Sequence, residues 1–135
     1  MKLLITYALC FVNVPYKWGG DSPLEGFDCS GFVQEVLSSV GIDPKGDQSA
    51  QMLYDRFVQM NGRSGVREGS VLFFGKSTTK ITHVAIALNK TQMIEAGGGD
   101  KNVKTLEDAI RRDARVRVRP ISGRKDFVAA LNPLI

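Results

Sequence analysis

The sequence predicts an α+β fold in which N-terminal helices pack on a central antiparallel β-sheet. Three observations predict it. In the first part of the chain, apolar residues recur at helical spacing, with Phe32, Val33, Val36, Leu37 and Val40 forming one stripe. From Ser70 onward the pattern changes to short runs of strand length. Two of those runs are joined by the polar turn Asn89-Lys90-Thr91, as in an antiparallel meander. Helices first and a meander after them is the order of an α+β domain.

Each element has its own local cause. The apolar start, Leu3 to Val14, reads as a first helix packed on the core, with Cys10 a buried small apolar residue. It has no small-x-small cleavage site after it and is too short to span a bilayer, so no export signal is expected. Asp28 is suited to cap a helix that holds Cys29 in its first turn, and Gly41 to stop it. A second helix is expected from about Gln48 to Met60, with Met52, Leu53, Phe57 and Met60 inward, ending at Asn61-Gly62. Ser70 to Gly75, Thr82 to Leu88 and Gln92 to Ala96 read as strands. Thr105-Leu106-Glu107-Asp108 resembles a capping box opening a short helix to about Arg112. Arg115 to Arg119 alternates strictly, which predicts a half-buried strand with its arginines outward. Phe127 to Leu131 reads as a final strand closed by Asn132-Pro133. No repeat or linker interrupts the chain, and residues 1–135 are expected to form one domain.

Composition excludes several classes. With 135 residues, 43% hydrophobic and 24% charged, the chain is neither disordered nor fibrous. The net charge of +4 is unevenly spread: seven basic residues against one acid between Arg111 and Lys125 give that segment +6 and leave −2 elsewhere. Such a patch suits nucleic acid, anionic lipid or an anionic wall polymer, or is simply a solvated strand face. Two cysteines and one histidine are too few for a structural zinc site or a disulfide framework. Cys10 and Cys29 stand in such different settings that they are not expected to pair. No metal or organic cofactor is implied.

The chemistry begins at Cys29. A thiol at a helix N-terminus sits at the positive end of the macrodipole, which favours the thiolate nucleophile. The alternative is a buried structural cysteine, but flanking Asp28 and Ser30 are poor core residues, whereas Leu9 and Phe11 around Cys10 suit that role. His83 is the only histidine and so the only candidate imidazole base. In a hairpin with a three-residue loop centred on Asn89, residue 83 lies directly opposite Glu95, which could then accept the imidazole N–H and orient the ring. Otherwise His83 is a satisfied core histidine and Glu95 an edge residue facing water.

The run Pro15-Tyr16-Lys17-Trp18-Gly19-Gly20, followed by Phe27-Asp28-Cys29-Ser30-Gly31-Phe32-Val33, resembles the signature of the NlpC-type cell-wall cysteine peptidases. Glu68-Gly69-Ser70-Val71-Leu72-Phe73-Phe74 resembles the family's Pro-Gly-Asp-Leu-Val-Phe-Phe strand, and Thr82-His83-Val84-Ala85-Ile86 its Ser-His-Val-Gly-Ile strand. The resemblance covers residues 5 to 100. It implies a papain-like fold and cysteine endopeptidase activity on peptidoglycan stem peptides, at a D-γ-glutamyl bond to diaminopimelate or lysine. Cys29 matches the nucleophile, His83 the base, and Tyr16 the tyrosine that lines the oxyanion site. Asp28 and Ser30, and with them Trp18, match the substrate-binding side, where some members hold the free amine of the substrate's first residue.

Two positions depart from the family pattern. Glu95 stands where the third catalytic residue is usually His, Asn or Gln, and its charge is expected to hold an imidazolium more strongly. Ser70 stands where Asp is usual. The Gly97-Gly98-Gly99 run reads as a flexible turn beside the cleft. With no export signal expected, the resemblance is to a phage-associated member, made in the bacterial cytoplasm and carried to the wall with phage tail proteins. The alternatives are a papain-like amidase or acyl transferase that keeps Cys29, His83 and Tyr16, and a non-catalytic tail or assembly module that uses the arginine patch.

Overall fold

The computed structural model describes residues 2–42, 44–61 and 65–133. Lys2–Leu9 forms α1, whose Leu4 and Ala8 are fully buried in the core. Its Tyr7 hydroxyl donates to Glu35 at 2.7 Å and ties it to the next helix. Cys10 lies past the end of α1 and is exposed, its thiol on the Thr6 carbonyl at 3.3 Å. The expected burial of Cys10 is therefore wrong: the stripe on the core is Leu4, Ala8 and Phe11, and residue 10 falls off it. A short hairpin of β1 (Asp21–Ser22) and β2 (Gly26–Phe27) follows, too small to leave a periodic signal in the sequence.

Helix α2 (Cys29–Ser38) starts as expected on the Asp28 cap, and buries Phe32, Val33, Val36 and Leu37. Val40 lies past its end and is exposed, and Gly41 turns the chain with φ of 77°. In α3 (Ala50–Asn61) the buried stripe is Ala50, Leu53, Tyr54 and Phe57, at helical spacing. Met52 and Met60, expected inward, sit off that stripe and are about half exposed. The Gly62 of the expected stop lies outside the described residues.

The sheet then runs β3 (Val71–Gly75), β4 (Ile81–Ala87), β5 (Gln92–Gly97), and, after α4 (Leu106–Arg112), β6 (Arg115–Pro120) and β7 (Phe127–Leu131). All neighbours are antiparallel, in the order β6-β5-β4-β3-β7. Helix α4 opens on the Thr105 capping box: the Asp108 N–H donates to Thr105 Oγ1, and the Thr105 N–H to Asp108 Oδ2. A 3-10 turn, Ile121–Gly123, joins β6 to β7.

Alternation divides the sheet's side chains into two faces. Val71, Phe73, Val84, Ile86, Ile94, Ala96, Val116, Ala129 and Leu131 join α1, α2 and α3 in the main core. Leu72, Phe74, Ala85, Ala87, Met93 and Ala130 form a smaller cluster on the other face. Strand β4 carries one extra residue, Thr82: Phe74 pairs with His83, but Gly75 pairs with Ile81. This bulge keeps Ile81 with the main core while His83 falls to the second face.

The β4–β5 register differs from the expected one. The pairs are Ile86 with Ile94 and Ala87 with Met93, so His83 is not directly opposite Glu95. The reason is the turn: Asn89 Oδ1 accepts from the N–H groups of Thr91 and Gln92, and Leu88 N–H donates to the Gln92 carbonyl. These bonds centre the loop on Lys90 rather than Asn89, a slip of two residues in the pairing. A two-residue slip preserves the face, so His83 and Glu95 still lie on the same side.

Candidate active site

An open cleft of about 510 Å³ lies between the N-terminal ends of α2 and α3 on one side and the start of β4 on the other. Tyr16, Trp18, Asp28, Cys29, Ser30 and His83 all line it, together with Gly99 and Asp100. Six of the seven residues marked by the sequence thus meet in one place, and the seventh, Glu95, lies directly behind His83.

Cys29 is placed by its helix. Asp28 Oδ1 accepts from the Gly31 N–H at 2.7 Å and from the Ser30 hydroxyl at 3.2 Å, while Oδ2 accepts from the Gly19 N–H at 3.2 Å. Asp28 is therefore a true cap, and it also ties the Trp18-Gly19 segment to the helix start. Burial raises its pKa against the opposing pull of these donors. Cys29 carries a free, half-buried thiol in the first turn of α2.

Tyr16 reaches the cleft from an extended segment. Its N–H donates to the Ala114 carbonyl at 3.0 Å, and the residue bridges to Phe27 of β2. The ring is buried and packs over Gly99, where any Cβ would collide with it. Burial, followed by the nearby Cys29, Asp28 and Asp100, pushes the phenol well above its usual range, so the hydroxyl keeps its proton and remains a donor.

His83 Nε2 and Glu95 Oε1 are 2.7 Å apart. The ring's other nitrogen, Nδ1, is the one that Glu95 leaves free, and Cys29 lines the same cleft as the ring. Burial favours the neutral ring, but nearby Cys29 and the hydrogen bond and charge of Glu95 outweigh it and raise the imidazole to about 9. Glu95 is fully buried. Burial pushes its carboxyl up; the His83 hydrogen bond and the charges of His83, Arg119 and Arg117 override this and hold it down at about 2. On β3, directly opposite His83, the Phe74 ring stands 5.7 Å away and walls off that side.

Sequence reasoning missed what lies behind the carboxylate. Glu95 Oε2 faces Arg119 Nη1 at 3.3 Å and Arg117 Nε at 3.5 Å. The alternating arginines of β6 do share one face, as expected, but two of them are drawn down onto a buried acid rather than outward to solvent. The rest of the basic segment is also paired: Arg111 with Asp108, Arg112 with Asp100, Arg115 with Asp113 and Arg124 with Asp126. Six of its seven cations thus have carboxylate partners within the chain, which weakens any reading of the segment as a free anion-binding surface. The Gly97-Gly98-Gly99 run is likewise more than a flexible turn. A Cβ on Gly97 would stand 2.5 Å from Glu95 Oε2, and one on Gly99 would strike Tyr16.

Glutamines place the remaining walls. Gln34 of α2 donates to the Gly46 carbonyl and accepts from the Gln48 N–H, which fixes the loop before α3. Gln51 donates to the Thr78 carbonyl and accepts from the Ile81 N–H at 2.7 Å, holding the start of β4. Trp18 is half exposed at the rim.

A thiol at a helix start, an imidazole and a buried carboxylate, lined up across the joint of helix and antiparallel sheet, define the class of cysteine-centred α+β proteins. The chain belongs to the NlpC/P60 family, whose model matches residues 13–119. Among curated proteins it is 32% identical over 94 residues to the gamma-DL-glutamyl hydrolase of Bacillus subtilis (67% of this chain, 22% of the relative). It is 31% identical over 108 residues to the bifunctional muramidase/DL-endopeptidase CwlT of the same organism (78% and 32%). The match thus spans about a third or less of these relatives. Among solved structures, the NlpC/p60 domain of the peptidoglycan hydrolase SagA superposes with a TM-score of 0.68 at 28% identity, over 96% of this chain and 95% of that one. RipD of Mycobacterium tuberculosis, described as a non-catalytic NlpC/p60 domain adapted to peptidoglycan binding, superposes at 0.71 with 21% identity, over 99% and 96%. The fold alone therefore does not imply a reaction.

Proposed function

We propose that the protein is a cysteine endopeptidase that hydrolyses peptidoglycan stem peptides at a D-γ-glutamyl bond to diaminopimelate or lysine. The observation that carries this reading is Cys29 at the start of α2 on the same cleft as His83, with Glu95 2.7 Å behind the ring. The relatives named for γ-glutamyl and DL-endopeptidase activities support the bond class.

In this reading His83 takes the Cys29 proton at Nδ1, and the thiolate attacks the γ-glutamyl carbonyl. Tyr16 donates its hydroxyl to the developing oxyanion. The imidazolium, held by Glu95, then protonates the leaving amine, and a thioester remains on Cys29. Water, deprotonated by His83, attacks the thioester and releases the acid. Asp28, Ser30 and Trp18 line the substrate side of the cleft, with the Asp28 carboxylate available to a substrate ammonium while it caps α2.

The test is mass spectrometry of a defined muropeptide mixture incubated with wild type and with Cys29→Ala. A fragment pair made by wild type alone names the bond. If well-folded wild type leaves every stem type intact, the reading fails, and binding of the same muropeptides becomes the measurement to make.

A further inference from the structure

We propose that Arg117 and Arg119 are positioning residues of the candidate centre: their guanidiniums clamp the second oxygen of Glu95 and so fix where the carboxylate points and how it shares a proton with His83. The inference rests on the reading of Cys29 and His83 as nucleophile and base.

Glu95 has no exposed surface, and a lone carboxylate so buried would be strongly driven to take up a proton. One of its oxygens is committed to His83 at 2.7 Å, and the other meets both arginines, at 3.3 and 3.5 Å. The strand register makes this possible. Arg117 is the direct cross-strand partner of Glu95, and Arg119, opposite Met93, is its diagonal neighbour on the same face. A second bond from Arg119 Nη2 to the Gly123 carbonyl at 2.9 Å fixes that guanidinium. Gly97, with no side chain, leaves the space in which carboxylate and guanidinium meet. These two ion pairs span 22 and 24 residues, whereas Arg111, Arg115 and Arg124 pair with acids two or three residues away.

The titratable and charged groups that face the His83–Glu95 pair are Cys29 on α2, the two arginines on β6, and Asp126 in the loop just before β7. Asp126 is itself held by Arg124, whose guanidinium lies 5.2 Å from the centre of the Phe74 ring. Losing one cation near an imidazolium makes that imidazolium easier to keep, so the clamp predicts a sign. Removing Arg119 or Arg117 moves the His83 titration to higher pH, by about one unit for a pair at this depth.

Because His83 is the only histidine, its ring nitrogens can be followed by nitrogen-15 NMR across pH without any substrate. Wild type, Arg117→Gln, Arg119→Gln and Arg119→Lys are compared. The Gln variants are expected to titrate at higher pH and to lose preference for the Nε2–H tautomer, while Arg119→Lys stays near wild type. Gly123→Ala provides a variant that leaves every charge in place: its Cβ would stand 2.8 Å from Arg119 Nη2 and displace that side chain, shifting His83 in the same direction by less. Folded variants whose His83 titration and tautomer match wild type would overturn the proposal. A shift in NMR without cleavage of any muropeptide keeps the clamp and removes the peptidase reading. Where cleavage is measured, the alkaline limb of the kcat profile is expected to move upward with the NMR titration.

Discussion

The two faces of the sheet are built from opposite materials. Toward the helices the sheet presents Val71, Phe73, Val84, Ile86, Ile94, Val116 and Leu131, all fully buried, without a charge among them. The other face begins as a small apolar cluster around Leu72, Phe74 and Met93, and then gives way to His83, Glu95, Arg117 and Arg119. The first face stabilises by apolar burial, about 1.5–3 kcal/mol for each large side chain, and is indifferent to pH. The second buries a carboxylate, which costs desolvation and is tolerable only because three cationic groups meet it. Apolar burial is thus carried on one side of the five strands and the charged pairs behind the imidazole on the other, while Cys29 and Tyr16 come to that imidazole from the helix side.

Substitutions on the two faces should therefore fail in different ways. Glu95→Ala, which leaves the imidazole with no orienting group, is expected to lower kcat by about 10²–10⁴-fold, the range of acid–base assistance, while far-UV circular dichroism stays native. If kcat is unchanged, the third position is not Glu95. On the helix-facing side, Phe73→Ala is expected to cost about 3–5 kcal/mol in urea unfolding, yet to leave the pH profile of the folded protein where it was. A shifted profile would show that the two faces are coupled. Gly97→Ala falls between these, since its Cβ pushes directly on the Glu95 carboxylate. It should cost about 1–3 kcal/mol and also move the His83 titration; losing stability alone would break the comparison.

The last effect expected is the dependence of stability on pH. Glu95 is held at about 2 against an ordinary 4.5, so its contribution is present above pH 4.5 and lost as pH falls toward 2. His83 is raised to about 9 from 6.5, so its contribution is complete below pH 6.5 and lost as pH rises through 9. Urea midpoints should therefore form a plateau between about pH 4.5 and 6.5 and decline on both sides. Glu95→Gln should flatten the acid side first.

Legibility in the sequence followed the range of the forces involved. Helix α2 was readable because its cap, its stripe and its stop lie within fourteen residues, from Asp28 to Gly41. The capping box at Thr105 was readable for the same reason. The His83–Glu95 contact was anticipated with the wrong register, and it survived because the error was two residues and a strand has period two. The arginine clamp was not readable. Alternation says which β6 residues share a face, but what covers that face depends on which strand lies beside it. Cys10, Met52 and Met60 failed for a related reason: an apolar residue near a helix stripe is not thereby on it. The Gly97 and Gly99 requirements depend on Glu95 and Tyr16, two side chains from different parts of the chain, and no local pattern carries them.

The clamp has a consequence for the order in which the molecule acquires its chemistry. Thiol, imidazole and carboxylate are all present in the growing chain once residue 95 has been made, but the groups that let that carboxylate stay ionised lie 22 and 24 residues further on. Until the edge strand has been synthesised and has zipped onto its neighbour, a nascent chain contains every reacting group yet has no assembled centre. Under the proposed peptidase reading, strand β6 then acts as an arming step, and a partly made or nicked copy that lacks it is expected to be inert rather than indiscriminately reactive.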